Sequence, residues 1–156
     1  MNATLARTLT VLGVLLVLAS VNYSIYAKEQ IKRQGEVIYL ELAPVDPRSL
    51  MQGDYMALRF AIARDIPARR QPGEDFVSLQ LDSQRVAHMP APGSQGSLRM
   101  HYRMLNGQPW LGTNAYFFEE GSATRFTSAR YGKFRIDPQT GEAVLIALCD
   151  AQLQVL

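Results

Sequence analysis

Uncharged and mostly apolar residues fill positions 8–27, and the pattern after them changes to strand-like alternation. The centre of this first segment reads VLGVLLVLA. Twenty helical residues extend about 30 Å, which matches the hydrocarbon thickness of a bilayer. Tyr23 and Tyr26 lie near the end of the segment, where amphipathic rings favour the membrane interface. The pattern therefore predicts a transmembrane signal-anchor helix at residues 8–27, after a short tail at residues 1–7.

Two other interpretations of this segment stay open. A secretory signal peptide has a similar apolar centre, and Val17 and Ala19 are small enough to direct cleavage before Ser20. A core helix of a globular domain is the third interpretation. It is disfavoured because such a helix is normally shorter and carries charges on its solvent face.

The orientation of the predicted anchor depends on its flanking charges. Arg7 and the amino terminus lie on one side, and Lys28, Lys32 and Arg33 lie on the other. Counting these charges alone favours a cytoplasmic domain. Only a short tail precedes the segment, however, and a signal-anchor with such a tail exports the domain that comes after it. These flanking residues leave the orientation open.

The residues after the anchor predict a mainly β fold. Apolar residues alternate with polar ones in five runs, at residues 37–42, 55–62, 76–81, 98–104 and 142–148. The turn sequence DPQTG precedes the last run, and a Pro- and Gly-rich loop at residues 90–97 joins two others. One short helix is expected at residues 122–131, with Ser122 as its N-cap and Gly132 as its stop. We expect a juxtamembrane stalk at residues 28–36 and a small antiparallel β-barrel or sandwich at residues 37–156.

Composition narrows the functional classes. The chain has 156 residues, of which 47% are hydrophobic and 19% are charged, so a single folded domain with an appendage is expected. The formal net charge of +2 is too small for a protein that binds nucleic acid by neutralising phosphates. The single cysteine, Cys149, excludes an internal disulfide and is expected to pack in the core.

The segment PVDPRSLMQGDYMALRF at residues 44–60 is the most distinctive part of the domain. Much of it has a local structural explanation. Asp46 can cap a short helical turn that begins at Pro47, and Gly53 can end that turn with a positive φ. Asp54 can accept backbone N–H bonds in the turn before Tyr55 opens a strand.

The run GDYMALRF at residues 53–60 resembles the signature of the GDYXXLXY membrane-anchored protein family. Gly53, Asp54, Tyr55 and Leu58 match that signature, and Phe60 stands where the signature has a final tyrosine. The lost hydroxyl removes a polar role at this position and leaves a packing role. The resemblance continues through APVDPR, FFEEG and ARYG at residues 43–48, 117–121 and 129–132.

The resemblance implies a bacterial envelope protein that is anchored in the inner membrane by one span and exposes a β-rich domain in the periplasm. It carries over no catalytic residue and no cofactor. Its members occur beside multispanning membrane proteins, which implies an integral membrane partner in addition to the bilayer around residues 8–27. The motif residues are the candidate partner-binding positions: Asp46, Pro47, Gly53, Asp54, Tyr55, Leu58 and Phe60.

A metal-dependent or hydrolytic envelope enzyme is the alternative class. The L-x-x-G-D-Y pattern faintly resembles that of signal peptidases, but Val45 stands where their nucleophilic serine would be. His88 and His101 lie on either side of the loop at residues 90–97. If the flanking strands pair as a hairpin, the two imidazoles face each other and need only a third ligand to hold Zn²⁺ or Cu²⁺.

The aromatic run at residues 116–118 places rings on both faces of a strand, so one ring of the three is expected to be exposed. Trp110 follows a proline and is expected to be buried, although an exposed tryptophan there would suit a partner surface.

Overall fold

The computed structural model describes residues 3–43, 51–52, 55–69, 73 and 75–156. Helix α1 (Ala3–Gln34) runs through the apolar segment and continues through most of the residues expected to form a stalk. In the described part of the chain it is the one helix long and apolar enough to cross a membrane, with a mean hydropathy of 1.9 over its apolar window. Its apolar side chains are exposed between Leu5 and Tyr26, as a lipid-facing helix requires.

The rest of the described chain is mainly β. The strands are β1 (Glu36–Glu41), β2 (Met51–Gln52), β3 (Tyr55–Ala57), β4 (Phe76–Leu81), β5 (Ala87–His88), β6 (Leu98–His101), β7 (Arg103–Leu105), β8 (Gln108–Trp110), β9 (Ala115–Phe117), β10 (Tyr131–Ile136) and β11 (Ala143–Cys149). A short helix α2 (Ile66–Arg69) and two 3₁₀ turns (Ala61–Arg64 and Ala123–Ser128) lie between them.

These strands form four small antiparallel sheets that do not close into a barrel. Their orders are β1-β10-β11, β2-β3-β9, β5-β4-β6 and β7-β8. Backbone contacts join neighbouring sheets: Tyr39 forms a parallel bridge with Val86, and the His101 amide donates to the carbonyl of Gly141 over 2.8 Å. The expected mainly β class with an N-terminal apolar helix is confirmed.

One hydrophobic core holds the sheets together. Alternation along β1 buries Ile38 and Leu40 completely, and β4 and β10 bury Leu79 and Phe134 in the same cluster. Each side chain of this size contributes about 1.5–3 kcal/mol when it leaves water, so this cluster stabilises the domain as one unit. Cys149 is fully buried at the end of β11, as expected from the sequence.

The last turns of α1 pack against the β domain. Ile31 is buried, and the Gly35 amide donates to the Ile31 carbonyl over 2.9 Å. The Arg135 guanidinium donates to the Gly35 carbonyl over 2.7 Å. A Cβ on Gly35 would lie 2.5 Å from the Ile31 carbonyl oxygen and 3.0 Å from that of Ile136, so only glycine fits this connection. Helix and domain are therefore joined by a close-packed junction.

The expected strand at residues 55–62 is wrong in its second half. Strand β3 ends at Ala57, Phe60 makes a single bridge with Leu42, and a 3₁₀ turn follows. Alternate residues are buried nevertheless, including Leu58 and Ile62. An extended segment and a turn can both point every second side chain inward. The alternation therefore predicts which side chains are buried, but it does not predict which backbone groups are hydrogen-bonded as a strand.

The expected helix at residues 122–131 is also wrong in type and length. It is a 3₁₀ turn at Ala123–Ser128, and the Ser122 hydroxyl donates to the Glu119 carbonyl instead of capping it. Gly132 lies inside strand β10. A Cβ there would meet side-chain carbons of Phe60, Phe134 and Leu145 at 3.1 Å, so this glycine is required for packing and not for ending a helix.

Candidate functional site

The signature residues divide into a buried and a surface group. Leu58 and Phe60 are buried in the core, so their role is packing. Tyr55 is half-buried at the start of β3. Asp46, Pro47, Gly53 and Asp54 lie outside the described residues. Among the described signature positions, Tyr55 is the one whose side chain is not buried.

Tyr55 contacts an exposed aromatic residue outside the motif. It pairs with Phe117 across the β3–β9 ladder, and the two ring centroids are 5.7 Å apart. Phe117 is 74% exposed, whereas its neighbours Tyr116 and Phe118 pack against Phe126. The expectation of one exposed ring in this run is confirmed.

An open cleft of about 660 Å³ extends from Phe117 to helix α1, and we call it the aromatic cleft. Strands β9 and β11, which are outer strands of two different sheets, contribute to its walls. Its lining residues are Lys28, His101, Arg103, Trp110, Gly112, Thr113, Ala115, Tyr116, Phe117, Glu142, Ala143, Val144 and Leu145. Trp110, expected to be buried, is half-exposed in this lining.

The edge of β9 at this cleft is partly closed to further strand pairing. Thr113 accepts a hydrogen bond from the Ala115 amide over 3.2 Å and donates one to the Ala115 carbonyl over 2.9 Å. An edge whose backbone groups are already bonded is a poor template for an added strand. The cleft is therefore better suited to side-chain recognition than to strand addition.

Charged groups cluster at the end of the cleft nearest to α1. The Lys28 ammonium forms an ion pair with Glu142, and the His101 imidazole nitrogen Nδ1 lies 3.9 Å from the same carboxylate. The hydrogen bond from Lys28 is the main cause that lowers the pKa of Glu142, and the charges of His101 and Arg103 lower it further. Glu142 is thus held ionised, and it ties helix α1 to β11.

The two histidines are not brought together. Strand β4 lies between β5 and β6, so His88 is opposite Gln80 and His101 is opposite Phe76. The hairpin that would have placed the imidazoles face to face does not form. Within the described ranges, no group of three His, Cys, Asp or Glu side chains is placed to hold a metal ion.

Each histidine instead has its own carboxylate partner. His88 is exposed, and its Nε2 lies 3.3 Å from Asp82, whose pKa is lowered chiefly by a hydrogen bond from the Val86 amide. His101 is largely covered, and its ring packs edge-on against Phe76. Both arrangements are those of ordinary structural histidines.

Sequence reasoning missed most of the cleft. In the sequence, Lys28 and Arg103 stand out only as flanking or alternating charges, and Glu142 only as the start of a strand. These residues come together because α1 docks beside β11 and because β9 and β11, from different sheets, both form walls of the cleft. The one sequence signal for this surface is the aromatic run that contains Phe117.

The structure thus defines a β-rich domain carried on an N-terminal helix that fits a membrane anchor or a signal sequence by length and composition. The chain belongs to the GDYXXLXY protein family, whose sequence model matches residues 17–148. No curated protein and no solved structure matches it.

Proposed function

We propose that this protein is a membrane-anchored component of the bacterial envelope that assembles with an integral membrane protein. Helix α1 is retained as an inner-membrane anchor, and the β domain lies on the periplasmic side. The observation that carries this proposal is the close-packed junction between α1 and the domain, at Ile31, Gly35 and the Lys28–Glu142 ion pair.

The length of α1 fits this placement. Its 32 residues extend about 48 Å, whereas a bilayer core needs about 20 of them. The remaining turns stand above the membrane and carry the contacts to β10 and β11. The turn between these strands, at residues 137–140, shares a second cavity with Tyr23 and Ser24 of α1. The domain therefore sits directly on the membrane surface at a fixed angle.

A rigid junction between α1 and the domain favours assembly with another membrane protein. A flexible linker would let the domain sample many orientations, and binding would then have to restrict them at an entropic cost. A rigid helix removes much of that cost for a partner in the same bilayer, and it leaves little reach for soluble components far from the membrane.

The test is purification of the full-length protein in mild detergent, compared with a variant that carries a flexible Gly-Ser insertion after Gln34. Both proteins keep the anchor and the domain, so they differ in the rigidity of the junction alone. We expect a stoichiometric membrane protein in the native preparation and its loss from the insertion variant, as measured by mass spectrometry. A native protein that is recovered alone would contradict the assembly.

Retention of the anchor is tested separately by the intact mass of the protein from the membrane fraction. The uncleaved chain has a mass of 17.4 kDa. Recovery of a shorter chain that begins at Ser20 would show a cleaved signal peptide and would contradict the anchored state.

A further inference from the structure

In the anchored state proposed above, the aromatic cleft lies at the level where helix α1 leaves the membrane. Lys28 lines the cleft and is the first charged residue after the uncharged segment at residues 8–27. It follows Tyr23 by five residues, which is about 7.5 Å along a helix. With the tyrosine at the interface, this height corresponds to the headgroup layer of the bilayer. A cleft at this height lies within reach of lipid headgroups.

The charges of the cleft favour an anion. Lys28 and Glu142 neutralise each other in their ion pair. Arg103 adds a guanidinium, and within the described chain no carboxylate lies within ion-pair distance of it. A guanidinium presents paired N–H donors that match the oxygens of a phosphate.

The remaining walls of the cleft are apolar and aromatic. Trp110, Tyr116 and Phe117 line it together with Val144 and Leu145. Aromatic side chains of this kind are enriched where a membrane meets water, because one part of the ring system is apolar and the other tolerates polar contact. A ligand with a charged head and an apolar body fits such a lining.

We propose that the aromatic cleft binds the headgroup of an anionic phospholipid. The Arg103 guanidinium is the partner of the phosphate, and the Trp110 and Phe117 side chains cover the glycerol and the first part of an acyl chain. This inference goes beyond assembly with a protein partner, and it rests on the anchored state proposed above. An acidic segment of a protein would satisfy Arg103 as well, but the height of Lys28 favours the lipid.

The test uses Trp110, the single tryptophan of the chain, as a reporter inside the cleft. The full-length protein is placed in nanodiscs of phosphatidylcholine that contain phosphatidylglycerol as a minor component. In one preparation the phosphatidylglycerol carries bromine atoms near the top of its acyl chains, and in the other an equal fraction of the phosphatidylcholine does. Bromine quenches tryptophan fluorescence at short range, so we expect at least twofold stronger quenching by the anionic lipid.

Three variants distinguish binding in the cleft from a general attraction to negative membranes. Arg103→Gln is expected to abolish the preference for brominated phosphatidylglycerol, and Arg103→Lys is expected to restore part of it. Arg33→Gln is the matched control, because Arg33 is also a basic residue beside the membrane but does not line the cleft. We expect this control to keep the preference of the native protein.

Three results would overturn the inference. Equal quenching by both lipids would show an aromatic surface near the membrane without headgroup selection. An equal effect of Arg33→Gln and Arg103→Gln would show a diffuse charge effect. Absence of quenching in a protein that is inserted in the disc would show that no lipid enters the cleft, and it would favour a protein ligand. A chain that fails to insert would instead overturn the anchored state.

Discussion

The ring of Phe60 packs over Gly132 so closely that a methyl group on this glycine would lie 3.1 Å from ring carbon Cε1 of Phe60. The same ring meets Phe134 edge-on, with 5.3 Å between the ring centroids. Phe60 is the last position of the family signature, and Gly132 lies in another segment that resembles the family. Their contact gives a physical reason for both residues. Strand β10 must lie close to Phe60 for its ring to fill the core, and glycine at position 132 allows this approach.

This contact predicts that Gly132→Ala destabilises the domain by about 1–3 kcal/mol, because the added methyl group overpacks a core that has no spare space. A smaller side chain at position 60 should relieve one of the three close contacts that the added methyl group makes. We expect the double variant Gly132→Ala/Phe60→Leu to lose less free energy of unfolding than the two single variants lose together. Denaturant unfolding of all four proteins measures this coupling, and strict additivity would contradict it.

The sequence predicted which residues are buried better than it predicted how the strands pair. Alternation identified Leu58 and Phe60 as core residues, although their segment is not a continuous strand. It could not reveal that β4 separates His88 from His101, because strand order is set by long-range packing. The aromatic cleft could not be predicted either, because its walls come from strands of different sheets.

The ion pair at the junction predicts a dependence of stability on pH. Lys28 holds the pKa of Glu142 below its ordinary value of 4.5, so the pair stabilises the fold above that pH and loses its effect as the pH falls through the lowered pKa. Both side chains are more than one third exposed, so the contribution is at most about 1 kcal/mol.

Glu142→Gln should therefore lower the free energy of unfolding at pH 7 and match the native protein in acid. Glu120→Gln serves as the control, because this exposed glutamate lines neither of the two cavities beside helix α1. Unfolding curves at the two pH values measure the effect. A deficit for Glu142→Gln that persists unchanged in acid would contradict an electrostatic role.

The position of Cys149 predicts a protected thiol. Its side chain is fully buried, and burial raises the pKa of the thiol, so little reactive thiolate is present in the folded protein. We expect a thiol reagent to label Cys149 slowly in the native state and rapidly in denaturant. Rapid labelling of the native protein would show that the end of β11 opens readily.

The proposed periplasmic placement predicts the behaviour of a reporter fused after Leu156. An alkaline phosphatase, which needs an oxidising compartment, should be active, and a reporter that works only in the cytoplasm should be silent. The charges at Lys28, Lys32 and Arg33 oppose this orientation on counting alone, so the measurement is informative. The reverse pattern of activities would place the domain in the cytoplasm.

The proposed rigid junction between helix α1 and the β domain is tested most directly by the distance between two spin labels. The labels are placed at Tyr26→Cys on the helix and Val155→Cys on the domain, in a chain with Cys149→Ala. Both labelled sites are exposed. In nanodiscs we predict a single narrow distance distribution, which becomes broad when a flexible Gly-Ser insertion follows Gln34. A distribution that is already broad in the uninterrupted chain would contradict the rigid junction.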